Sequence, residues 1–121
     1  MTKGTLEKQI ADAIVALWRE LLGRGPEEAR VWILQDMVIV RMKGTLTVEE
    51  RHLVQSVRGR QLVKQMRVLL RETYEDSLHS LIASRTGCQV ISSHSDISTK
   101  SGERVEIYIL DRNLERTVSA S

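Results

Sequence analysis

The sequence predicts a two-layer α+β domain of order α-β-β-α-β-β, with helices on one face of a four-stranded, mainly antiparallel sheet. Three observations predict it. Residues 5–22 repeat apolar side chains at helical spacing, two pairs of short β-branched runs are each joined by polar turn residues, and a long proline-free stretch lies between the pairs.

In the first element Leu6, Ile10, Ile14, Leu17 and Leu21 fall on one helical face, widened by Ala11, Ala13, Trp18 and Leu22. Gly23-Arg24-Gly25-Pro26 stops that helix, because glycine supplies a left-handed C-terminal turn and the proline cannot continue the ladder. Residues 29–34 and 38–43, separated by Gln35-Asp36-Met37, read as a hairpin. Its register leaves open whether Val38, Val40 and Met42 or their alternates share a face with Ala29, Val31 and Ile33. Gly44 breaks the second strand, and Thr47-Val48-Glu49-Glu50 forms a capping box that starts the next helix.

Residues 47–85 remain helix-compatible, but one straight helix of that length would span about 57 Å, far beyond a domain of about 14 Å radius of gyration. The apolar pair Leu53 and Val57 is out of phase with the stripe Val63, Met66, Leu70, Tyr74 and Leu81, which predicts a kink or break near Arg58-Gly59-Arg60 and then one long helix. Gly87 ends it. Residues 88–93 and 105–110 alternate apolar and polar around the loop 95–102 and form a second hairpin. A single domain is thus expected over residues 5–111, with residues 112–121 as a mobile tail.

The composition excludes several classes. One domain of 121 residues leaves no room for a two-domain enzyme, and a formal charge of +2 demands a local basic patch before nucleic acid is invoked. The single cysteine, Cys88, excludes a disulfide framework and a cysteine-based zinc site. The longest apolar runs, residues 31–34 and 37–40, fall far short of the roughly 20 residues of a membrane span, and the N-terminus lacks a signal-like apolar stretch. The expected location is cytoplasmic. With no Phe, two Trp and two Tyr, the core must be aliphatic.

No residue pattern indicates catalysis, a cofactor or a metal. His52, His79 and His94 lack metal-binding spacing, and His94-Ser95-Asp96, being neighbours, cannot surround one substrate atom as a triad must. Asp96 reads instead as a turn aspartate bonding its own loop backbone. Gly23-Arg24-Gly25 follows a helix rather than leading one, so it is not a phosphate cradle. Two features point to binding. Between Glu50 and Glu72 there is no acid, and Arg60, Lys64, Arg67 and Arg71 step along one helical face as a basic ridge, suited to an acidic partner, nucleic acid or anionic lipid. If Val31, Ile33, Val105, Ile107 and Ile109 face the helices, then Arg30, Trp32, Leu34, Glu106, Tyr108 and Leu110 occupy an uncovered sheet face, which predicts a homodimer or a base-stacking platform.

The Gly23-Arg24-Gly25-Pro26 turn, the Leu46-Thr47 to Glu50-Arg51 helix start followed by Leu53, the stretch 67–70, Gly87, and the Ser95-Asp96 to Ile109-Leu110 ending resemble the MpsC-like family of small bacterial proteins over about residues 5–111. That family commonly carries an aromatic in the last strand where this chain has Tyr108-Ile109. The resemblance implies an accessory or regulatory role beside a membrane-potential-generating cation-translocation system, through a membrane-transport partner, and brings no catalytic residues. The expected function is a non-enzymatic cytoplasmic interaction domain. A nucleic-acid-binding module and a small-ligand or anion sensor, using the groove between helix and sheet, are the alternatives.

Overall fold

The computed structural model describes residues 1–120. Helix α1 (Lys3–Leu22) begins at Thr2, whose hydroxyl accepts from the Thr5 backbone N–H, and ends at Gly23, whose φ of 76° closes the last turn onto Arg19. Its buried residues are Leu6, Ile10, Ala11, Ile14 and Trp18, the stripe that the spacing predicts with its centre moved toward Trp18.

Strands β1 (Glu28–Leu34) and β2 (Met37–Lys43) form the first hairpin around Gln35 and Asp36. Gln35 adopts φ 55°, the left-handed region that a tight hairpin turn demands. The register settles the open choice: Ile33 lies opposite Val38, Val31 opposite Val40 and Ala29 opposite Met42. Strand β3 (Val90–Ile97) pairs with β4 (Arg104–Leu110), so β3 starts and ends later than the expected 88–93 and includes His94, Ser95 and Asp96. The sheet order is β1-β2-β4-β3, antiparallel throughout.

Between the hairpins the chain makes three helices, α2 (Val48–Leu53), α3 (Val57–Thr73) and α4 (Glu75–Thr86). The capping box at Thr47 is complete, with Glu50 N–H to the threonine hydroxyl at 3.0 Å and Thr47 N–H to the Glu50 carboxylate at 2.8 Å. The first break falls at residues 54–56, just before the expected Arg58-Gly59-Arg60. Ser56 caps α3 by accepting from Gly59 N–H, so Gly59 lies inside the first turn rather than at a kink. A Cβ at Gly59 would stand 1.7 Å from the Leu53 carbonyl oxygen, and this close approach requires glycine.

The single long helix expected after Gly59 is instead two. The chain turns at Tyr74, whose ring meets Trp18 edge-to-face at 6.2 Å, and α4 thereby packs against α1. Helices α1 and α4 cover the main core with Val38, Val40, Tyr108 and Leu110, while Leu46, Val63 and Ile97 form a smaller core beneath α3.

Residues 112–120 are docked, contrary to the expected mobile tail. Leu114, in a 3₁₀ turn (Leu114–Thr117) capped by Asn113, is 3% exposed and belongs to the main core. Glu115 clasps the strained turn, its carboxylate accepting from Gln35 N–H at 2.9 Å and its own N–H donating to the Gln35 carbonyl at 3.1 Å. Ser121 lies outside the described residues.

Candidate functional site

Helix α3 carries Arg60, Lys64, Arg67 and Arg71 on one side, as the spacing predicts, but the charges are spent within the fold. Arg60 donates to the Val54 carbonyl at 3.0 Å and so satisfies the end of α2. Lys64 reaches Asp96 at 2.9 Å; this bond from Lys64 holds the Asp96 carboxyl below its usual range, and Asp96 also accepts from its neighbour Ile97 N–H. Arg67 grips Glu50 with two nitrogens, at 2.8 and 2.5 Å, and donates to the Thr45 carbonyl. Only Lys64 of the four is a well-exposed cation.

Burial penalises the charge on Glu50, yet the Arg67 guanidinium and the Thr47 backbone outweigh it and hold its carboxyl below the ordinary value of 4.5. A depressed folded value means that the unfolded chain takes up the proton first. The Glu50 contribution to stability is therefore complete above pH 4.5 and lost as pH falls from there through the folded value. In urea melts between about pH 7 and about pH 3, the stability gap between wild type and Glu50→Gln should shrink with acid; a constant gap would show that the pair carries no such linkage.

Arg71, the innermost of the ridge, is 5% exposed and donates from Nε to the carboxylate of Glu106, which is fully buried on β4. Glu106 also accepts from the Tyr108 hydroxyl at 2.7 Å and from Ser95 Oγ at 3.1 Å. Burial opposes the Arg71 charge, but Glu106, Tyr108 and Glu75 together raise its guanidinium above the usual range. Burial, then Glu106, pushes the Tyr108 phenol well above 10.0. Arg71 further donates to Ser93 Oγ, which contacts His79 Nε2 at 2.7 Å and Glu75 at 3.2 Å. Polar groups at this depth are costly unless paired, and here each side chain finds a partner.

Tyr108 therefore leaves the expected surface: it points into the core at 0% exposure, with Glu106 and Leu110 beside it. The phase of β4 is the reverse of the one expected, because pairing with β2 places Val38 opposite Tyr108 and Ile39 opposite Ile107. Val105, Ile107 and Ile109 thus lie on the uncovered face instead. Arg30 and Trp32 do occupy that face, the Arg30 guanidinium 6.0 Å from the Trp32 ring centre and Trp32 40% exposed. Cross-strand pairing makes two apolar rows there, Trp32-Ile39-Ile107 ending at His94, and Leu34-Met37-Ile109 ending at Ser92.

A groove on the other side of the molecule encloses a cavity of about 360 Å³ between the end of α1, α2 and α3. Trp18, Leu22, Met42 and Leu70 line it, Arg67 and Arg104 lie in its wall, and the partly exposed Leu53 and Met66 also border it. The spacing of apolar residues did not mark this site, which converges from four separate segments.

His94 and Asp96 lie on the open face of β3 while Ser95 points inward to Glu106, so these three do not converge. Among the described residues no group of His, Cys, Asp and Glu could hold a metal ion, and Cys88 is buried. No helix among them is long and apolar enough to cross a membrane.

The fold and its polar interior define a small α+β domain with a buried ion network, an apolar open sheet face and a groove between α1, α2 and α3. The chain belongs to the MpsC family: the sequence model described as "Na+-translocating membrane potential-generating system (MpsC)" matches residues 2–112. It is 37% identical over 117 residues to the uncharacterized protein YbcI of Bacillus subtilis (strain 168), covering 97% of this chain and 94% of that protein. The uncharacterized protein YrhF of the same organism is 24% identical over 110 residues, 90% of each chain. No solved structure matches.

Proposed function

We propose that this protein is a non-enzymatic, cytoplasmic accessory domain that pairs with a second copy of itself through the open face of its sheet, and that the dimer serves a membrane cation-translocation system. The observation that carries the reading is the pair of apolar rows across β1, β2 and β4, with Leu34 at 45% and Trp32 at 40% exposure. A contiguous apolar patch of this kind is costly to leave in water. A second copy fits this face: Arg30, Arg41, Val105 and Asp96 form one cross-strand row, and a two-fold axis parallel to the strands sets the Arg30 edge of one sheet over the other's Asp96 edge, where Asp96 already pairs with Lys64. The family description supports the second part, since it names a Na+-translocating system. The basic ridge gives less support to the nucleic-acid alternative than its spacing suggests, because Arg67 and Arg71 are committed to Glu50 and Glu106.

Sedimentation velocity should find a dimer at micromolar concentration. Ile107→Asp, at the centre of the face, should weaken association by about 30-fold or more, the loss typical of a central anchor, with the circular dichroism unchanged. A wild-type protein monomeric throughout that range would overturn the proposal.

A further inference from the structure

We infer that the groove between α1, α2 and α3 is a binding site for a small amphipathic carboxylate, an acid with an aliphatic body of about ten carbons. The cavity's 360 Å³ falls within the roughly 300–1,000 Å³ of small-molecule sites, and at the ~30 Å³ of a liquid water it holds about twelve heavy atoms. Its apolar wall comes from Leu22, Met42, Leu53, Met66 and Leu70, flexible aliphatic side chains that suit a linear chain better than a rigid ring.

The head group follows from the charges. Two rim residues, Arg24 and Glu49, are exposed and of opposite sign, and Glu50 is committed to Arg67. Arg104 is the surplus cation. It is 5% exposed, yet among the described residues it forms no salt bridge, and its one side-chain hydrogen bond runs from Nη1 to Ser95 Oγ at 2.6 Å. Ser95 lines a smaller cavity that Arg104 also borders, so Arg104 stands between that cavity and the groove. Burial, reinforced by the like charges of Arg67 and Arg71 and opposed by Glu106, holds the Arg104 guanidinium below its usual range. An anion in the groove would relieve that penalty, and guanidinium and carboxylate are matched in geometry. Trp18, which also lines the groove and is 7% exposed, has an indole N–H with no hydrogen-bond partner. Buried donors of this kind are rare and favour an acceptor nearby.

The site is separate from the open sheet face, so its test does not depend on dimerisation. In a Trp32→Phe protein the emission of Trp18 reports on the groove alone. Titration with decanoate below its micellar range should give a saturable change, about tenfold tighter than with decanol, as a charge-assisted contact requires. Arg104→Met should abolish the preference for the acid. Met66→Glu, at a position 43% exposed and so tolerant of charge, should weaken decanoate binding by about tenfold while the fold is retained, because it sets a like charge beside the ligand. Should Arg104→Met fail to fold, the acid-against-alcohol comparison and Met66→Glu decide. No saturable response to decanoate, equal affinity for decanol, or binding untouched by Met66→Glu would each overturn the inference.

Discussion

Replacing Arg71 with methionine should destabilise the domain by about 3–5 kcal/mol, because it removes the partner of a carboxylate that has no access to water. For a domain whose whole stability is about 5–15 kcal/mol, that is a third or more of the total. The cost belongs mainly to the stranded charge on Glu106 rather than to the lost contact. Adding Glu106→Gln should therefore recover much of it, since glutamine keeps an oxygen for the Tyr108 hydroxyl and carries no charge. Urea melts of the two variants measure this directly. If single and double variants are equally unstable, the loss arises from packing around the long arginine stem, and the ion pair contributes little.

Leu114→Ala should cost about 2–5 kcal/mol, the range for truncating a buried leucine. A free tail would predict no change. The leucine fills the main core from outside the sheet, and Glu115 beside it holds the hairpin turn at Gln35 in its left-handed conformation. Deleting residues 112–121 should be at least as damaging, because it removes the core contact and the clasp together. Thermal melts that superpose on wild type would return these residues to the status of a tail.

Local features of the fold were legible because each depends on residues a few positions apart. The stripe on α1, the Gly23 and Gly87 stops and the Thr47 and Glu50 capping box all stand where the spacing places them. Membership of the MpsC family was legible in the same way, from short motifs in order. The break after Thr73 was not, since no glycine or proline marks it. Tyr74 turns there because its ring is taken up by Trp18, a residue far away in sequence.

The candidate site divides along the same line. Spacing aligned Arg60, Lys64, Arg67 and Arg71 on one side of a helix, but could not say that this side meets Glu50, Glu106 and the edge of the sheet. Nor could it fix the phase of β4, where Arg104, Glu106, Tyr108 and Leu110 alternate with Val105, Ile107 and Ile109. Hydrophobicity favours burying the second set. The structure buries the first, because Arg71 neutralises Glu106 and the exchange leaves three β-branched residues on the open face. Glu106, a charged residue inside the apolar run 105–110, was the signal that a partner waited inside.

What the sequence determined by itself was α1, the two hairpins in order, the Thr47 cap and the Gly23 and Gly87 stops, all governed by hydrogen bonds and periodicities that act within a turn or two of chain. What only the tertiary structure decided was which face of α3 and of β4 is buried, because that depends on whether a charge finds its opposite across the molecule, and no local pattern contains that pairing.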